Sequence, residues 1–171
     1  MYIDILILAE LSSHPYHGYE LKRQVEWILG EVLNSNHLYP ALRRFEEMGA
    51  VAHVVERQSG RPDRHVYHLT GQGKDVLHAL LCEFSPDLAR NTNEFQTRVA
   101  FFHLLDPADR LSILLTRRGV LEQRFQHRQD ALALARENVH ITYAQSLLDL
   151  QLRQIQQELD WIATLIQEVQ A

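Results

Sequence analysis

Residues 34–49 read N-S-N-H-L-Y-P-A-L-R-R-F-E-E-M-G, and the fold turns on how this stretch divides between two faces. At ~100° per residue, Leu38, Ala41, Leu42 and Phe45 recur at i, i+3, i+4 and i+7, so one side of a helix is apolar and belongs in a core. Asn36, Pro40, Arg43 and Glu47 fall opposite, with His37 and Arg44 on one flank and Tyr39 on the other. Such side chains donate to phosphates and base edges, and arginine is the commonest bidentate partner of guanine in a major groove. Taken alone, the pattern is that of any amphipathic surface helix. The flanking sequence decides.

Upstream, Tyr2 to Leu11 is apolar nearly all round, which suits a buried helix or, alternatively, a short buried strand. Pro15 breaks it by removing a backbone donor and pushing His14 out of the helical region. A second helix opens at His17-Gly18-Tyr19-Glu20-Leu21 and ends near Gly30. Asn34, Ser35 and Asn36 are the cap candidates for the third helix, the opening one. Pro40 must lie near its first turn or kink it. Downstream the period changes. Val51 to Val55 and His65 to Leu69 alternate as strands around the turn-forming run 58–63, giving a hairpin with a long basic tip. Thr70 then caps a fourth helix with Val76, Leu77, Leu80 and Leu81 on its apolar face. Three helices and a hairpin in this order describe a winged helix-turn-helix, mostly α with a small β-hairpin wing.

Three motifs carry a resemblance: H-G-Y-E-L at 17–21, L-Y-P-A-L-R-R-F-E-E-M-G at 38–49 and G-R-P-D-R-H-V-Y-H-L-T-G-Q-G at 60–73. Over these residues the sequence resembles the PadR family of bacterial transcriptional regulators. That resemblance implies a dimeric winged-helix protein, most often a repressor, whose third helix enters the major groove while the wing touches flanking backbone or minor groove. It implies DNA-contacting roles for Asn36, His37, Tyr39 and Arg43 on the helix, with Arg44 beside them, and for Arg61 and Arg64 on the wing. The chain departs from the family pattern at Asn36-His37, where a Gly and a small hydroxyl residue usually stand, and at His65-Val66, where Lys and an aromatic usually stand. Two positions that usually help hold phosphate are thereby altered, which points to a different operator or to an affinity that depends on the charge of His37 and His65.

The winged-helix domain is expected over residues 1–82, a polar linker broken by Pro86 over 83–93, and a helical domain over 94–171. Asp106-Pro107 is a helix start signal, and a long helix from Ala108 to about Glu137 follows. In the last segment Leu148, Leu152, Ile155, Leu159, Ile162, Ile166 and Val169 step alternately by four and three, an a/d seam over three heptads. The seam fits an intrachain hairpin of the two long helices or an intermolecular contact, and the two are compatible. A closed two-fold dimer would match palindromic half-sites about one DNA turn, ~34 Å, apart. The resemblance implies a helical C-terminal dimerisation region as well.

Composition limits the alternatives. A net charge of −5 argues against strong general affinity for nucleic acid, and residues 1–80 hold eight Lys and Arg against ten Asp and Glu. Binding to double-stranded DNA must therefore come from local placement and from a homodimer. Apolar runs fall short of the ~20 residues of a membrane span, and the start lacks the basic region of a signal peptide, so the expected address is cytoplasmic. Cys82 is the only cysteine, which excludes an internal disulfide and a cysteine zinc cluster within one chain. His65 and His68, three apart on a strand, face opposite sides, and His14 and His17 bracket a proline turn. Neither pair reads as a metal site, and no cofactor is expected. Nucleophile elbow, phosphate loop and His-Glu-x-x-His patterns do not occur, so an enzyme is not expected. Trp27, Phe101, Phe102, Phe125 and Trp161 are candidates for an apolar effector pocket between the domains or at the dimer interface. The expected function is a dimeric, sequence-specific DNA-binding repressor, released by a small aromatic or hydrophobic effector. The alternative is a helical protein-interaction module that keeps the winged fold with little specific DNA binding.

Overall fold

The computed structural model describes residues 1–30, 35–56, 64–136 and 142–171. The chain forms two units, Met1–Glu83 and Phe84–Ala171. In the first, α1 (Tyr2–Ser13), β1 (Tyr16–His17), α2 (Gly18–Leu29) and α3 (Ser35–Glu47) precede β2 (Val51–Glu56), β3 (Arg64–Leu69) and α4 (Gly71–Cys82). The all-round apolar opening is a helix. It packs against α2, α4 and β3, and covers on several sides are what a helix without a polar face requires. Ile5, Leu6, Ile7 and Leu8 are accordingly buried.

The sheet has three antiparallel strands in the order β1-β3-β2, where the sequence pattern predicts two. Tyr16 pairs with Tyr67 and His17 with Val66. Two residues are too few for alternation to be read, so β1 had no signal of its own beyond the extended backbone that Pro15 imposes on His14. In the wing, Val51 stands opposite Leu69 and Glu56 opposite Arg64. Thr70 closes it. Its amide and hydroxyl both donate to the Ala50 carbonyl at 3.1 Å, the hydroxyl donates to the Gly49 carbonyl at 2.7 Å, and it accepts from the Gly73 amide at 3.0 Å. One threonine thus ties the start of β2, the end of β3 and the first turn of α4.

Helix α3 buries Leu38, Ala41, Leu42 and Phe45. Pro40 stands sixth in it, beyond the first turn, and has no N–H to donate to the Asn36 carbonyl. Gly49, at φ 71°, turns the chain from α3 into β2. Cys82 is half-buried, with its Sγ 3.7 Å from Nδ1 of His78.

The second unit begins with a 3-10 turn at Leu88–Arg90. It continues through α5 (Thr92–Ala100), a 3-10 turn at Phe102–Leu104, α6 (Pro107–Arg136) and α7 (Thr142–Gln170). The stretch expected as a linker is built into this unit from Phe84 onward. Phe84 and Ala89 are buried, and Asn91 caps α5, its Oδ1 accepting from the amides of Asn93 and Glu94 at 2.9 and 3.4 Å. Its polarity serves turns and caps rather than a solvated spacer. Asp106 opens α6 by accepting from the Asp109 amide at 2.9 Å.

Helices α6 and α7 run antiparallel. Arg136 pairs with Asp149 at 3.9 Å, Gln145 donates to the Ala135 carbonyl at 2.7 Å, and Arg117 pairs with Glu158 at 2.7 Å. Partners on α7 advance as those on α6 retreat. The a/d seam faces this hairpin: Ile155 and Ile162 are buried within a single chain, and Leu148, Leu152, Leu159, Ile166 and Val169 are partly buried. Ile155 and Ile162 are therefore spent on their own chain and are not free to meet a second copy. Among the described residues, no helix is long and apolar enough to cross a membrane.

Candidate nucleic-acid interface

The face of α3 opposite its core side is open to solvent at Asn36, His37, Tyr39, Pro40, Arg43 and Glu47. A shallow groove of about 400 Å³ runs along it, lined by Asn36, Tyr39, Pro40, Arg43, Arg44 and Glu47. Arg44 behaves differently from Arg43. Its guanidinium pairs with Asp4 of α1 and lies 5.0 Å from the Phe45 ring centre, so it fastens α3 to α1 instead of presenting a free fork. Its acidic partner is forty residues away in sequence, beyond the reach of any local pattern.

Tyr39 is set by its neighbours. A Cβ at Gly18 would meet the Tyr39 ring at 3.0 Å and Tyr67 at 3.5 Å, so the glycine that opens α2 lets Tyr39 of α3 lie against it. The helix start is satisfied by Glu20, whose Oε2 accepts the His17 amide at 3.1 Å. That bond holds the Glu20 carboxyl below its usual value. Arg64, at the start of β3, places its guanidinium 5.9 Å from the Tyr19 ring. A concavity of about 170 Å³ lies among Gly18, Tyr19, Tyr39, Arg64 and Tyr67. Burial, and then the Glu46 carboxylate, push the Tyr67 phenol above its ordinary value.

The wing is pinned by two His–Glu contacts: His53 with Glu46 of α3, and Glu56 with His17 of β1 at 3.7 Å. His53 and His65 stand with ring centres 4.6 Å apart, so His65 belongs to a cluster at the wing rather than standing alone. Arg61 lies outside the described residues. Tyr19 and Tyr67 are the neighbours of Tyr39 that sequence reasoning missed. Both sit inside the quoted motifs, but nothing in helical or strand period marks them as neighbours of Tyr39.

The five aromatic residues considered for an effector pocket are divided between the units. Trp27 lines an open groove on α2 with Tyr19 and Arg23. In the second unit Phe101 is buried, Phe102 and Phe125 are half-buried, and Trp161 stands edge-on to Phe95 at 5.9 Å. Trp161 lines a depression of about 260 Å³ with Gln96, Gln154, Gln157 and Glu158.

Residues 7–79 match the family described as "Transcriptional regulator PadR-like family". The chain is 26% identical over 101 residues to the negative transcriptional regulator PadR of Bacillus subtilis, an alignment covering 58% of this chain and 56% of that protein. It is 32% identical over 79 residues to the protein named "Probable transcriptional regulator Rv1176c" of Mycobacterium tuberculosis, covering 45% and 42%. A solved structure of Bacillus subtilis PadR in complex with operator DNA aligns over 99% of both chains at 17% identity with a TM-score of 0.47. The chain spans between 20% and 56% of the length of the curated relatives it matches. Residues 7–79, which lie wholly within the winged-helix unit, are thus similar to the PadR-like family of transcriptional regulators.

Proposed function

We propose that this chain is a dimeric repressor that reads a palindromic DNA operator with α3 and steadies itself on the flanking backbone with the wing. The observation that carries the reading is the division of α3: Leu38, Ala41, Leu42 and Phe45 buried, Asn36, His37, Tyr39 and Arg43 exposed beside them. A relative that matches this chain over 101 residues is itself a negative transcriptional regulator. The reactions are those of recognition, not catalysis. Arg43 donates its fork to a guanine edge, and Tyr39 and Arg64 hold phosphate. Arg44 acts through packing, by way of Asp4.

Selection from random duplexes by the purified protein tests this directly, and a palindromic site with half-sites ~34 Å apart is the expected product. On that site Arg43→Ala is expected to cost about 1–3 kcal/mol and relax base preference at one position per half-site. Arg64→Ala should weaken all sequences alike and flatten the salt dependence. If Arg43→Ala leaves the ranking of sites unchanged, α3 is not the reading helix.

For the dimer we propose the stripe of α7 that the hairpin leaves open. Tyr143, Leu147, Leu150, Gln154, Gln157 and Trp161 step by four, three, four, three and four, and Tyr143, Leu147, Leu150 and Trp161 are exposed at 93, 53, 44 and 40%. A row of this kind matches a second copy of itself. Leu147→Glu is expected to yield lone subunits in sedimentation at micromolar concentration and to lose palindrome binding, whereas a dimer that survives it lies elsewhere. The depression beside Trp161 is where an aromatic effector would sit, and thermal shifts with phenolic compounds test that. A second reading, a protein-interaction module, draws on the net charge of −5; recovery of a palindrome from random DNA ends it.

A further inference from the structure

The exposed side of α2 carries aromatic and cationic side chains for which the α3 reading has no use. Tyr19, Arg23 and Trp27 stand four residues apart and so share one stripe of the helix. Tyr19 is 56% exposed and Trp27 81%, an unusual place for an indole, which is mostly buried on average. With Pro15 and Tyr16 they border an open groove of about 780 Å³.

Three features of this groove point to its occupant. The first is continuity. Tyr19 lies under the Arg64 guanidinium and shares the small concavity with Tyr39, and Tyr39 lines the groove of α3 with Asn36 and Arg43. One surface therefore runs from α3 across Tyr39 and Arg64 to Trp27. The second is charge. Arg23 has no ion pair among the described residues, whereas its neighbour Lys22 is held by Glu26 at 3.6 Å. The acid bordering the groove, Glu20, already accepts from the His17 amide and from the Tyr19 hydroxyl, each at 3.1 Å. The third is reach. Eight residues of helix cover ~12 Å, a length of duplex axis over which one strand passes three to four phosphates at ~3.4 Å of rise each.

We infer that Tyr19, Arg23 and Trp27 form a second contact to the sugar–phosphate backbone, on the same duplex but beyond the base pairs that α3 reads. This rests on the α3 reading. A guanidinium, a phenol and an indole N–H are all donors, and donors placed against phosphate fix register without reading sequence. A chain of net charge −5 has little general attraction to draw on, so placed contacts of this kind must supply its hold on the backbone.

The test uses the full chain and the duplex recovered by selection, once trimmed to its palindrome and once with six flanking base pairs on each side. The chain has two tryptophans; the emission of Trp27, taken as the difference between the native chain and Trp27→Phe at saturating duplex, is expected to change on adding the long duplex and not the short one. Arg23→Ala and Trp27→Ala, in the otherwise native chain, are expected to bind the long duplex about three- to tenfold more weakly. For Arg23→Ala the log–log salt slope should be shallower by about one unit. The short duplex, which lacks the phosphates concerned, should be bound as by the native chain, and base preference should not change. If Trp27 emission ignores both duplexes and the variants bind the long one like the native chain, the inference is overturned while Arg43-dependent site recognition stands. If the native chain retains no duplex at all, both fall together.

Discussion

Arg117→Ala is expected to cost the second unit about 3–5 kcal/mol, the scale for removing one partner of a buried ion pair. Arg117 is 1% exposed. Its guanidinium reaches three elements at once: the Ala89 carbonyl in the turn before α5, the Thr92 hydroxyl at 3.2 Å in the first turn of α5, and both carboxylate oxygens of Glu158 on α7, at 2.8 and 2.9 Å. The Phe95 ring packs beside it with its centre 5.3 Å away. Alanine leaves a buried carbonyl without this donor and a largely covered carboxylate without its countercharge, and no neighbouring side chain replaces a planar fork. Trp161, edge-on to the same Phe95, reports the event. In a Trp27→Phe protein its urea midpoint should fall on the order of 2 M. Arg117→Met combined with Glu158→Leu should recover much of the loss, because replacing a buried pair by apolar side chains is often neutral or better. A cost below about 1 kcal/mol for Arg117→Ala would mean that the guanidinium is hydrated and the cluster is not the joint of α5, α6 and α7.

That joint was not legible in the sequence, for a physical reason. Arg117 and Glu158 are forty-one residues apart, and each sits on a helix where period alone assigns a charged residue to solvent. The same holds for Arg98, fully buried, with its Nη1 donating to Glu94 Oε2 at 2.7 Å and its guanidinium 4.8 Å from the Phe84 ring. Period did serve where one face meets one core. Leu38, Ala41, Leu42 and Phe45 are buried as a set because helical geometry puts them together whatever the partner is. It also found the α7 seam, but a seam names a stripe and not what covers it, so the hairpin and the dimer stayed open until the antiparallel partners were seen. The proposed reading surface was legible in the same degree. Arg43 follows from the face opposite the core. Arg44, one residue on, depends on where Asp4 lies, and that is a tertiary fact. Tyr19 and Tyr67 gather around Tyr39 only because β1 pairs with β3, a two-residue ladder without periodicity of its own.

Gly73→Ala is expected to destabilise the first unit by about 3 kcal/mol or more, although alanine in a helix ordinarily gains ~1 kcal/mol over glycine. The sign reverses because of what the added carbon would meet. A Cβ at Gly73 would lie 2.1 Å from the Ala50 carbonyl oxygen and 2.6 and 2.9 Å from Leu69 Cδ1 and Cγ. Leu69 has rotamers to spare, but the carbonyl does not yield in the same way. It accepts both the amide and the hydroxyl of Thr70, and Thr70 in turn accepts the Gly73 amide. To admit the methyl, α4 must part from the wing and give up hydrogen bonds worth about 0.5–1.5 kcal/mol each, on top of the ~1–3 kcal/mol of overpacking. Gly71→Ala is the control. Its Cβ meets nothing within 4 Å, so on the same helix it should be neutral or slightly stabilising. Urea unfolding followed by Trp27 emission in a Trp161→Phe protein compares the two, and equal midpoints would sink the account of how the wing is anchored. The consequence for DNA follows from which strands are tied by that knot. Thr70 and Ala50 are the roots of β3 and β2, and Arg64 is carried at the far end of β3. Loosening the roots should weaken binding to every sequence while the ranking of sites, which the proposed function assigns to Arg43 on α3, stays as it was.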